Sequence, residues 1–301
     1  MLTGIHFLLT YSCTYECDHC FLYCSPNTEG TFTIDQVKRV LDDAKRIPGM
    51  EWVYFEGGEA FMYYPVMLEG MRAAKKAGFK TGVVTNCYWA TSENDAALWL
   101  GPLVQAGIDD LSMSDDEFHH GDTQITPAKM AATAAARLGL SATSICIDKP
   151  AVKPPAGGKG DPVIGGGALF KGRAADKLTS GLPVKAPGAF SQCLHEELVA
   201  PKRVHVDAFG NVQVCQGISI GNMWSVPLSQ LIAEYDADTH PICGPLVHGG
   251  PDALAKTYQV SLPNGFVDEC HYCFLVRRAL LDRFPEALTP KHVYGPAEIR
   301  A

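Results

Sequence analysis

The chain has 301 residues, 47% hydrophobic and 19% charged, which suits one large domain or a large and a small one. A net charge of −8 disfavours a phosphate-tracking surface, and there is neither an apolar run of about 18 residues nor a basic-then-apolar N-terminus. Nucleic acid, membrane insertion and secretion are therefore not expected. The 11 cysteines are odd in number and clustered, which points to metal ligation in a reducing cytoplasm rather than to a disulfide framework.

The first half alternates short apolar and amphipathic runs, the rhythm of βα units around a parallel sheet. Residues 5–10 read as the first strand and lead into the run CTYECDHC, where Cys13, Cys17 and Cys20 are spaced Cys-x3-Cys-x2-Cys. Three thiolates on one loop can hold three irons of a cubane iron–sulfur cluster and leave the fourth open to a substrate or cofactor. A zinc site completed by His6 or His19 is the alternative. Thr33 and Gln36 form a capping box ahead of a helix over 34–47. A strand over 52–56 ends at Gly57-Gly58-Glu59, and a helix over 65–77 is closed by Gly78. Further strands are expected at 80–85, 110–114 and 141–148, with helices at 93–106 and 127–138 between them and a sixth strand near or shortly before Leu169. Residues 149–167, rich in proline and glycine, read as a loop within the domain.

The three cysteines and the glycine motif together resemble the signature of the radical S-adenosylmethionine (SAM) enzymes. The resemblance implies a partial (β/α)6 TIM-like barrel over 1–185, carrying its cluster at the top. It places a 4Fe–4S cluster on Cys13, Cys17 and Cys20, His19 near the adenine, and the SAM amino group at Gly57, Gly58 and Glu59. Asn86 and Ser114 (or Asp115), at the mouth of the barrel, are expected to contact SAM or substrate. Arg173, in the tripeptide Gly172-Arg173-Ala174, is expected to pair with the SAM carboxylate or to be an ordinary surface arginine. His119 and His120 read as an exposed polar loop, with metal ligation as the alternative.

Past residue 190, Cys193 is followed by a hairpin-like run (204–207, a turn at Phe209-Gly210-Asn211, then 212–215) that ends on Cys215. Cys270 and Cys273 form a Cys-x2-Cys pair opening a helix. This half resembles the SPASM and twitch extensions of the same family. The shorter twitch form implies a second 4Fe–4S cluster on Cys193, Cys215, Cys270 and Cys273 within a C-terminal domain over 186–301. Cys243 competes with Cys193 as the fourth ligand and is otherwise the candidate catalytic hydrogen donor. Zinc is the alternative occupant of these cysteines, and Cys24, Cys87 and Cys146 read as small apolar fillers. The implied activity is reductive cleavage of SAM, fed by a flavodoxin or ferredoxin, with net oxidation of a small molecule or peptide. Peptide crosslinking, cysteine-quenched epimerisation and a zinc-held binding scaffold are the competing readings.

Overall fold

The computed structural model describes residues 1–154, 163–263 and 265–300. Its N-terminal part lays down β1 (Gly4–Thr10), α1 (Ile34–Ala44), β2 (Trp52–Gly57), α2 (Tyr64–Lys76), β3 (Lys80–Thr85), α3 (Glu93–Ala106), β4 (Asp110–Ser114), the short α4 (Glu117–His120), α5 (Pro127–Arg137) and β5 (Ala142–Ile145). The expected capping box is present: Gln36 N–H donates to Thr33 Oγ1 at 3.3 Å, and Thr33 N–H returns to Gln36 Oε1 at 2.9 Å. The helix stops at Ala44, short of Ile47. Its end tightens into bonds from Arg46 N–H to Asp43 O and from Ile47 N–H to Ala44 O, and Pro48 disfavours a helical conformation for the residue before it.

Strands β1 to β5 pair in parallel and in order. The next elements are β6 (Ala151–Lys153), β7 (Val163–Gly165), α6 (Arg173–Lys177), β8 (Arg203–Asp207), β9 (Asn211–Cys215), β10 (Ile218–Asn222), α7 (Leu228–Glu234), α8 (Cys243–Tyr258) and α9 (Glu269–Ala279). The sixth barrel strand expected near Leu169 is absent among the described residues. β7 instead closes an antiparallel hairpin with β6, off the main sheet, and Leu169 lies in no strand. Part of the expected loop, 155–162, lies outside the described residues. The sixth parallel strand is β8, on the far side of β1, with Gly4 opposite Arg203 and Leu8 opposite Asp207. β9 and β10 then continue antiparallel, giving one eight-stranded sheet in the order β10-β9-β8-β1-β2-β3-β4-β5. The sheet thus runs through from the barrel into residues 203–222.

Side-chain alternation gives this partial TIM-like barrel two faces. Phe7 and Phe55 stack at 5.4 Å beside Phe32, on the face packed against α1 and α2. The other face carries His6, Tyr54, Glu56 and His205, so the barrel lumen is polar. No helix among the described residues is long and apolar enough to cross a membrane. Phe55 is fully buried, and Phe55→Ala is expected to cost about 3–5 kcal/mol of stability. Chemical denaturation of the two proteins measures the difference.

Candidate functional site

The cysteine loop begins where β1 ends. Cys13 N–H donates to Ser25 O at 3.0 Å, and Cys20 N–H donates to Cys17 O at 3.0 Å, so the loop folds back with its three thiols gathered. All three border one cavity of about 330 Å³ at the carboxyl ends of the strands, a size at the lower end of small-ligand sites. Burial pushes the Cys13 thiol up to about 11 and the Cys17 thiol up to about 12. The Cys24 thiol donates to Cys20 and brings it down to about 6. Neutral buried thiols give up protons when a metal replaces them, and three soft donors on one loop fit an iron–sulfur cluster with an open iron.

The glycine motif lies directly against this loop. Gly58 N–H donates to Thr10 O at 2.7 Å and Glu59 N–H to Ser12 O at 3.0 Å. A Cβ on Gly58 would sit 2.1 Å from Ser12 O; Gly57, at φ +127°, would place one 2.3 Å from Thr10 O. Both glycines border the cavity. Glu59 does not reach it as expected. Its carboxylate is 1% exposed and accepts from Phe61 N–H (2.9 Å), Thr85 O–H (2.9 Å) and Asn86 N–H (2.7 Å). Burial raises this carboxyl to about 7 against the pull of those donors. Asn86 in turn donates to Thr14 Oγ1 at 3.1 Å and lies 3.6 Å from Cys13 Sγ. Glu59 therefore ties the end of β2 to β3 and, through Asn86, to the cysteine loop.

Arg173 is not a surface residue, and it does not border the cavity. Its guanidinium is buried and donates to Cys17 O at 2.9 Å and Cys24 O at 2.8 Å, while its N–H donates to Cys20 O at 2.8 Å. Ser114 and His19 border the cavity as expected. Burial lowers His19 to about 4, so its imidazole is neutral. His119, expected in an exposed polar loop, instead borders the cavity, and Asp116 beside it was not anticipated there. His119 Nδ1 lies 2.8 Å from Asp116 Oδ1, and the His119 ring stands 5.1 Å from that of His19. The signal was the Asp-x2-His spacing of an N-cap directly after β4. Cys146, expected as a buried filler, is exposed just past β5, while Cys24 and Cys87 are buried.

Cys193, Cys215, Cys270 and Cys273 border a second, small cavity, together with Lys171 and Arg277. Cys270 and Cys273 sit in the first two turns of α9, where burial pushes both thiols up, Cys273 to about 11. Cys243 borders neither cavity. It is 0% exposed at the start of α8, where its N–H donates to His240 Nδ1 at 3.1 Å. Lys171, 3% exposed, donates to Gln216 Oε1 at 2.6 Å and lies 3.7 Å from Cys215 Sγ. Arg277, 1% exposed, donates to Gln216 O at 3.0 Å, and its Nε has no hydrogen-bond partner. Neither cation was anticipated, although Cys270, Cys273 and Arg277 follow the i, i+3, i+7 spacing of one helix face.

Residues 7–120 match the Radical SAM superfamily. This part of the chain is a radical SAM domain. The fold agrees with the crystal structure of BtrN in complex with AdoMet and 2-DOIA: TM-score 0.50 and 13% identity, over 77% of this chain and 82% of that one. One curated relative is the tungsten-containing aldehyde ferredoxin oxidoreductase cofactor-modifying protein of Pyrococcus furiosus, 31% identical over 108 residues. Another is the putative peptide biosynthesis protein YydG of Bacillus subtilis, 22% identical over 107 residues. Each match takes in 36% of this chain, and 29% and 34% of the respective relatives, so the chain spans about a third of their length. The radical SAM domain implies an enzyme with a 4Fe–4S cluster and bound SAM, and the gathered thiols of Cys13, Cys17 and Cys20 suit that cluster. Arg173→Ala removes two charge-assisted bonds from the loop, a loss of about 3 kcal/mol of local stability. We expect reduced iron at the first cluster and slower 5′-deoxyadenosine formation, with no rescue by Arg173→Lys, as measured by iron analysis and SAM-cleavage assays.

Proposed function

We propose that this radical SAM enzyme carries out net two-electron oxidation of a small molecule or peptide, using a second 4Fe–4S cluster held by Cys193, Cys215, Cys270 and Cys273. The observation that carries the second cluster is electrostatic. Two buried cations, Lys171 and Arg277, border four thiols, and the nearest carboxylate to Lys171, that of Glu196, is 3.9 Å away. Burying such cations is costly unless charge of opposite sign lies beside them. A cluster held by four thiolates carries net negative charge and offers sulfur acceptors, including one for the unpartnered Arg277 Nε. Cys193 rather than Cys243 is the fourth ligand in this reading, because only Cys193 borders the cavity. Residues 186–301 form the auxiliary-cluster region and share the barrel's sheet.

When bound, the first cluster and SAM supply an electron and a 5′-deoxyadenosyl radical that takes a hydrogen atom from the substrate. The chain's own residues hold and shield that chemistry. Cys13, Cys17 and Cys20 are the ligands, and the bare backbone of Gly57 and Gly58 admits the methionine end of SAM. Asn86 and Ser114 line the cavity wall, with the neutral His19 beside the adenine. A flavodoxin or ferredoxin is the proposed electron donor. Quenching by Cys243 is disfavoured, since that thiol is sealed from the cavity.

Anaerobically purified protein should contain about eight irons per chain. Cys270→Ala with Cys273→Ala should retain about half the iron and still cleave SAM, but lose substrate turnover. Unchanged iron in that variant would remove the second cluster, and zinc in place of iron would make the cysteines structural. Substrate conversion in heavy water should give a product two hydrogens lighter with no deuterium fixed in it. A product of unchanged hydrogen count carrying one deuterium would show thiol quenching instead.

A further inference from the structure

Inside the barrel lies a cluster that SAM chemistry does not use. His6 of β1, Glu56 of β2 and His205 of β8 project into the lumen, on the face opposite Phe7 and Phe55. His6 Nδ1 is 3.1 Å from Glu56 Oε2, and His205 Nε2 is 3.2 Å from Glu56 Oε1. One nitrogen or oxygen from each residue falls within 4.8 Å of the others.

The surrounding hydrogen bonds determine what these atoms present. Gln216 Oε1 accepts from Lys171 at 2.6 Å, so its NH₂ end is the one facing His205 Nε2, at 3.2 Å. An amide N–H donates, so His205 Nε2 offers a lone pair, and the ring proton is assigned to Nδ1, which is buried without a partner. That lone pair then faces the Glu56 oxygen, acceptor against acceptor. A proton on Nε2 would relieve one contact and oppose the Gln216 N–H. His6 Nδ1 is likewise buried beside the carboxylate with no hydrogen-bond partner. The two ring nitrogens and the Glu56 carboxylate converge on one point.

We propose that His6 Nδ1, His205 Nε2 and the Glu56 carboxylate bind one divalent transition metal, separate from both cysteine sites. Two imidazoles and a carboxylate suit zinc, ferrous iron or manganese and leave further positions open. Glu56 borders the same cavity as Cys13, Gly57 and Gly58, while His6 borders a separate cleft with Tyr54 and His195, so the site lies between the two. The open positions would take water or an oxygen atom of a small ligand. Glu56 closes a strand that is otherwise apolar and aromatic, where an unpaired charge would be costly. The other histidine–carboxylate group, His19, Asp116 and His119, lines the cavity of the cysteine loop itself; its Asp116 and His119 are already hydrogen-bonded to each other, and only His19 Nδ1 is without a partner.

The test is equilibrium dialysis of the cluster-loaded enzyme against zinc, with zinc and iron read together by mass spectrometry. The expected result is one zinc per chain in addition to the iron. Binding should weaken more than tenfold in His205→Ala and in Glu56→Gln while iron is unchanged. The Cys270→Ala, Cys273→Ala variant should keep this zinc, which separates the site from the proposed auxiliary cluster and its fate. If His205→Ala also loses iron, the isosteric Glu56→Gln decides alone. Zinc below about 0.1 per chain, or zinc binding unchanged by Glu56→Gln, overturns the proposal.

Discussion

The close approach of the end of β2 to the cysteine loop is the constraint on which the site depends. Two backbone bonds, Gly58 N–H to Thr10 O and Glu59 N–H to Ser12 O, extend the β1–β2 pairing past the strand ends. No side chain fits at either glycine, because a Cβ would overlap a carbonyl oxygen. Glu59 then turns inward and ties this segment to β3 through Thr85 and Asn86, and Asn86 reaches the loop carrying Cys13. A buried carboxylate with three donors is rigid, and leaving any of those donors unpaired would be costly. Three strand ends and the loop are thereby fixed as one unit. Arg173 closes the unit from the other side by gripping the carbonyls of Cys17 and Cys24.

Charge organises the second half of the chain as hydrogen bonds organise the first. Lys171 precedes the Gly172–Arg173 clamp of the cysteine loop, yet its ammonium group lies beside Cys215. Two neighbouring residues thus attach to opposite cysteine groups, mechanically linking the two cavities. Gln216 continues the link, accepting from Lys171 and Arg277 and facing His205 in the barrel lumen. A path of buried polar contacts therefore runs from the four-cysteine cavity to Glu56 at the SAM cavity.

The placement of β8 beside β1 makes this path possible. Had the chain filled the β5 edge with a sixth strand, His205 could not meet His6 and Glu56. Residues 151–153 and 163–165 form their own hairpin instead, and among the described residues no strand pairs with the outer edge of β5. Cys215, at the end of β9, is carried close to the barrel by the same sheet.

Local chemistry made much of this legible in the sequence. The Cys-x3-Cys-x2-Cys spacing, the Gly57–Gly58–Glu59 motif, the Thr33–Gln36 capping box and the first four strands all depend on residues near one another in the chain, and each was found where expected. Four distant cysteines could be grouped by type, but whether Cys193 or Cys243 borders the cavity required the fold, since burial at the start of α8 is not a local property. The roles of Glu59 and Arg173 also had to come from the fold: a charged residue beside a motif reads as ligand-binding until its partners, most of them 26 to 156 residues away, are seen. The strand order was equally hidden, because β8 pairs with β1 across about 200 residues and no local pattern specifies which edge a strand will join. Sequence by itself determined the chemistry available, a cluster loop and a set of thiols. Tertiary structure decided which groups face a cavity, because only long-range packing sets which polar atoms are already paired and which remain free to bind.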